Sequence, residues 1–253
     1  SYYNFFIHSM SPKDVMDKMK EKAIEAFDNI IEYTNESYKK YCEMSGHIYT
    51  ELPWETRVYT WEEFYNELAT IHGDKFKIHI KNFAKELHEK NPDMDLRKFS
   101  VAIVEEAWNK YAVDRSPAII IFNSSTFFAR VEITGKTEKE KKLLDSVKES
   151  IKFVQEYSDK PIVTKMFYPY ISDSSFMAIS DNVEDLKALE KNTPAWGTKY
   201  THPIDDILEI NVPLVNIGTF GKDGHKITER VHMKYTFETV PNITYNTVKK
   251  ILG

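Results

Sequence analysis

The sequence predicts an α/β protein in two styles: a helix-rich first half that closes on β structure, and a second half in which helices and strands alternate. Three observations carry that expectation. Apolar or aromatic residues from Val15 to Tyr41 recur at helical spacing over roughly nine turns. Two apolar runs, 118–122 and 127–133, have the length and composition of strands. From Thr137 onward the order reads α-β-α-α-β-α, which implies a parallel or mixed sheet with helices packed on it and a site at the strand ends.

The elements follow in order. Residues 2–8, YYNFFIH, form an aromatic segment too short for periodicity to assign. Ser11 can cap the first helix, Pro12 suits its first position, Asp14 favours the positive end of the dipole, and Gly46 stops it. Arg57 to Thr60 reads as a short strand, and Thr60 with Glu63 makes a capping box for the helix from Trp61. Further helices are expected over 75–90, ending at Asn91-Pro92, and over 97–112. Beyond a boundary at Gly135-Lys136, Thr137 and Glu140 cap a helix whose face carries Leu143, Leu144, Val147, Ile151 and Val154. A strand over Ile162–Phe167, a loop to Ser175, helices near 183–191 and 204–208, a strand over Val212–Ile217 and a helix over Thr244–Leu252 complete the chain.

Composition narrows the function classes. A net charge of −5 argues against a nucleic-acid surface. The lone Cys42 excludes an intramolecular disulfide and any cysteine-based zinc cluster, which makes a reducing, cytoplasmic setting the expectation. No apolar run approaches the ~20 residues that cross a bilayer, and the opening Ser1-Tyr2-Tyr3 has no basic segment of a signal peptide. The missing initiator Met suggests a trimmed chain or a fragment.

Some tempting patterns have plainer readings. His72-Gly73-Asp74 has the His-x-Asp spacing of some zinc sites, yet reads as a helix end with its glycine stop. Glu62-Glu63 and Glu105-Glu106 are adjacent on helices, where neighbours do not face each other. Two segments remain. The loop Ile171-Ser172-Asp173-Ser174-Ser175 follows an expected strand, where α/β folds put ligand-contacting groups; turn capping is the alternative. The run VPLVNIGTFGKDGHKITERV, 212–231, is an apolar strand leading into a loop with Gly218, Gly221 and Gly224 that delivers His225, with Glu229 four residues on. His225 is a candidate metal ligand and Glu229 its orienting neighbour; a loop histidine packed on the sheet is the alternative.

Together these two segments resemble the C-terminal half of the zinc-dependent aminoacylase, carboxypeptidase and succinyl-diaminopimelate desuccinylase superfamily. Within it LPW at 52–54, VEEAWN at 104–109, FYPYISDSSF at 167–176 and NTPAWG at 192–197 are most similar to its arginine-utilisation members. The resemblance spans nearly the whole chain and is sharpest at 167–176 and 212–231. It implies a three-layer α/β sheet of the zinc exopeptidase type, with 1–135 as an inserted, helix-enriched lid that dimerises and 136–253 as the closing part of the catalytic domain. It further implies His225 as a zinc ligand, Ser172, Asp173 and Gly218 near the substrate, and Glu229 behind His225. The partners implied are a small amino-acid-derived substrate and a second copy bound through the lid.

The family's other metal motifs, a His-x-Asp, a bridging Asp and a Glu-Glu pair with the general base, precede the lid and are not in this sequence. The implied reaction is hydrolysis of an amide or peptide bond with one or two zinc ions, and these residues alone are expected to be inactive. His8, in FFIHSMSP, stands where lid enzymes carry a histidine that reaches the partner, but without the preceding glycine. The rival expectations are a non-catalytic dimerisation or ligand-binding module derived from the same fold, and an unrelated small α/β ligand-binding protein.

Overall fold

Local sequence signals place most of the helices. The computed structural model of the chain describes residues 1–253 other than 125, 159 and 167–171, and the Asp173 side chain also lies outside the described residues. Helix α1, Pro12–Ser45, starts on Ser11, whose hydroxyl accepts from the Asp14 N–H while the Asp14 carboxylate accepts from the Ser11 N–H. Gly46 ends it in the left-handed conformation. The same reciprocal cap opens α2, Trp61–Lys90, at Thr60 and Glu63, and α4, Glu138–Gln155, at Thr137 and Glu140. Helix α3 covers Leu96–Tyr111, capped by Asp95.

The compact units do not follow one cut. One unit comprises Ser1–Phe127 with Asp181–His202, the other Phe128–Ser180 with Pro203–Gly253. In the first, strand β1, Val58–Thr60, pairs in parallel with β2, Ile119–Ile121, in the register Val58 to Ile119 and Thr60 to Ile121. Its core is the seam of α2 and α3, where Phe64, Leu68, Phe76, Phe99 and Ile103 are almost wholly buried. Each such side chain stabilises by about 1.5–3 kcal/mol. Helix α2 breaks at Gly73, as its helix-stop reading anticipated, and the His72 ring bonds the Tyr111 carbonyl at 2.8 Å rather than facing a metal. Helix α1 packs on β1 and on α5, Val183–Lys191, burying Met16, Phe27 and Cys42. Residues 2–6 take neither helix nor strand, and Tyr2, Tyr3, Phe5 and Phe6 are exposed.

In the second unit α4 packs against the last helix, α7 (Val240–Leu252), with Leu144, Val147, Val154 and Ile243 buried. Helix α6 covers Ile204–Ile210, and Gly221–Lys222 (β3) pairs antiparallel with Arg230–Val231 (β4). The strands expected at 127–133, 162–167 and 212–217 are not formed as strands among the described residues, although Glu132 stands in an isolated β-bridge. One backbone bond, Ile133 N–H to the Met166 carbonyl at 3.1 Å, joins the first two. A strand exists only where a neighbour aligns with it, and here the apolar segments lack that neighbour. The chain is thus a mixed helix-and-strand protein with small sheets. Among the described residues no helix is long and apolar enough to cross a membrane.

Candidate functional site

The loop after residue 171 builds one half of the site. Ser172 caps a short 3-10 turn, Asp173–Phe176: its hydroxyl accepts from the Ser174 N–H at 3.2 Å and donates to the Ser174 hydroxyl at 2.9 Å. Ser175 turns inward, buried, and donates to the Ala129 carbonyl at 2.7 Å, which anchors the turn to the 128–133 segment. Of the predicted loop, Ile171 and the Asp173 side chain lie outside the described residues.

The segment from Val212 supplies the other half. The Asn216 amide donates to the Ser174 hydroxyl at 3.1 Å, which ties the two predicted segments together. Both border a cavity of about 340 Å³ whose apolar wall includes Leu144, Val147, Leu214, Ile217 and Ile243, with Ser174, Asn216 and Gly218 at its polar part. No atom stands within 4 Å of where a Gly218 Cβ would be, so this glycine leaves open space. Ser172 joins through Ser174, while His225 and Glu229 are not among the lining residues. Asn216 was missed from sequence. Its signal was a single amide interrupting the apolar run 212–217.

His225 sits on the tip joining β3 to β4. Both Asp223 (φ 58°) and His225 (φ 64°) are left-handed, a conformation that non-glycine residues hold only when their surroundings over-determine it. Those surroundings are visible. The Asp223 carboxylate accepts from the Thr228 hydroxyl at 3.1 Å and pairs with the Arg230 guanidinium, and the Glu229 carboxylate accepts from the His225 backbone N–H at 3.2 Å. Glu229 therefore holds the backbone of the turn, leaving the imidazole exposed.

A zinc site takes three or four protein ligands. Among the described residues no group of three or more His, Cys, Asp or Glu side chains is placed to hold a metal. His225 offers one donor, and the donors here do not make a zinc site by themselves. What the arrangement can do alone is bind: an apolar cavity edged by the Ser174 hydroxyl and the Asn216 amide suits a small ligand with an apolar body and a polar end.

Comparison with known proteins gives no matching family model. No solved structure matches either. Protein RocB of Bacillus subtilis (strain 168) is 27% identical over 251 residues, which is 99% of this chain and 43% of RocB. The uncharacterized protein YqjN of the same organism is 29% identical over 157 residues, 62% of this chain and 27% of YqjN. The chain therefore spans less than half the length of the curated relatives it matches. The match to RocB runs through both compact units and both site segments, so the chain is similar to RocB over nearly its whole length.

Proposed function

We propose that the chain is part of a RocB-like zinc-dependent hydrolase, cytoplasmic, that cleaves an amide or peptide bond of a small amino-acid-derived compound in arginine catabolism. In this reading residues 1–135 are the lid through which two copies associate, and 136–253 close the catalytic domain. His225 is one zinc ligand, Glu229 fixes its turn, and Ser172, Asp173 and Gly218 border the substrate. The zinc, when bound, supplies an activated water; the remaining ligands and the general base come from outside these residues. The observation that carries the reading is the RocB match over 99% of the chain, embracing both segments that resemble the superfamily. The tie between Ser174 and Asn216 and the over-determined turn under His225 support it.

Elemental analysis and amidase assays on the whole natural polypeptide test the proposal. It should carry zinc, and His225→Ala should strip both metal and activity. Glu229→Gln, which loosens the turn beneath the ligand, should lower metal affinity by about 10- to 100-fold. If His225→Ala keeps zinc and activity, the site assignment is wrong. A polypeptide without zinc rejects the hydrolase and leaves the binding module derived from that fold.

A further inference from the structure

A groove between α1 and the loop 49–56 lies wholly within the first unit. Two hydrogen bonds set its register. The Leu52 N–H donates to the Asn35 side-chain oxygen at 2.9 Å, and the Thr56 hydroxyl donates to the Asp28 carboxylate. The loop therefore runs antiparallel to the helix, and Trp54, 38% exposed, lines the groove between those two anchors. The groove holds about 560 Å³, the size of a small-molecule site. Its helix residues run from Asp28 to Lys39, about 16 Å. Asp28, Glu32, Glu36, Glu51 and Glu55 line it against one cation, Lys39. Among the described residues Glu32, Glu36, Glu51, Glu55 and Lys39 make no side-chain hydrogen bond or ion pair. Asn35 adds a directed donor. It is 9% exposed and lines the groove, and its oxygen accepts from the Leu52 N–H and, at 3.4 Å, from the Tyr49 hydroxyl. Its NH2 group has no partner among the described residues. A buried amide with an unmet donor calls for an acceptor. Lys39, one turn along the helix, favours an acceptor that is an anion.

We infer that this groove binds a free basic amino acid, with its carboxylate against Asn35 and Lys39 and its side-chain cation against Glu32, Glu55 and the face of Trp54. Cations sit well over an indole face flanked by carboxylates. The α-ammonium group then lies at the level of Glu36 and Glu51. The lengths agree. Along the helix the pair Asn35 and Lys39 is centred about 10 Å from the pair Asp28 and Glu32. An extended arginine or lysine spans about 7–8 Å between its charged ends, before a hydrogen bond of about 3 Å is added at each. Other cations fit less well. A divalent ion needs converging oxygens, and among the described residues no three acids converge. A diamine, or a basic side chain within a peptide, brings no carboxylate for Lys39. The inference rests on neither the RocB likeness nor the zinc chemistry.

The test is titration calorimetry on the whole natural polypeptide at low salt. Arginine or lysine should bind. Agmatine, which lacks the carboxylate, and citrulline, which lacks the side-chain cation, should each bind about 5-fold more weakly. Glu32→Gln combined with Glu55→Gln should weaken arginine by about 5-fold or more, and both positions are exposed, so the fold is not at stake. Asn35→Asp keeps an oxygen for the Leu52 N–H and puts a carboxylate where the donor was, so it should abolish binding. If that variant misfolds, the paired glutamine variant decides. His225→Ala should leave this binding in place, so its failure and that of the hydrolase are read separately. Binding that survives the groove variants, or that is lost with His225→Ala, puts the amino acid elsewhere and overturns the inference. So does tighter binding of agmatine, calcium or a lysine-rich peptide, or no binding of arginine and lysine.

Discussion

Gly73 shows how much one residue can decide. At φ 60° and ψ −146° it stands in a region essentially reserved for glycine, inside what is otherwise one helix from Trp61 to Lys90. No atom lies within 4 Å of its missing Cβ, so a side chain would suffer from the backbone torsion and not from a clash. Gly73→Ala should therefore destabilise the protein by about 1–3 kcal/mol in urea unfolding. An unchanged midpoint would mean that the helix runs through position 73 without a break. The stop was legible because glycine between two helical patterns has few other uses. The left-handed turn at Asp223 and His225 was not, since the bonds that enforce it come from Thr228, Glu229 and Arg230, and nothing in the chain announces that pairing.

At the scale of elements, what was legible is what is local. A capping box needs two residues three apart, and the two read from the sequence formed at Thr60 and Thr137. The expected Ser11 cap formed too, with Asp14, which the sequence reading assigns only to the helix dipole, completing a third box. The cap of α4 can be tested cleanly, because Thr137 is exposed and belongs to no strand. Thr137→Ala removes the acceptor of the Glu140 N–H, 3.1 Å away, and should cost about 1 kcal/mol, while Thr137→Ser should keep most of it. Equal losses for the two variants would show that the hydroxyl bond does not matter. Strands carry no such local instruction. The runs 118–122 and 212–217 are similarly apolar, yet only the first found a partner, at Val58–Thr60. The difference is whether a matching edge lies at the right distance, which depends on chain far away or on chain outside this stretch.

For the whole molecule, the response to acid follows from where charge is held. Burial pushes the Glu63 carboxyl up, but the bonds from Lys20 and from the Thr60 N–H outweigh it and leave it below its ordinary range. Glu106 behaves alike: burial raises it, while His79, 2.7 Å away, and Lys110 bring it down. A carboxylate lowered by folding contributes stability that is complete above the unfolded value, near 4, and lost as pH falls through the folded value. His202 acts earlier. It is 2% exposed, edge-on to Phe127, and burial lowers its affinity for a proton. The unfolded chain then binds a proton that the folded chain refuses, so stability begins to fall below about pH 6.5. Urea midpoints measured from pH 8 to 3 should accordingly decline in two steps, a shallow one under pH 6.5 and a steeper one under about pH 4. His202→Phe should flatten the first step and keep the second; Glu63→Gln should soften only the second. A single decline below pH 4 in the unmodified protein would mean that His202 is protonated in the folded state and that its burial does not govern its charge.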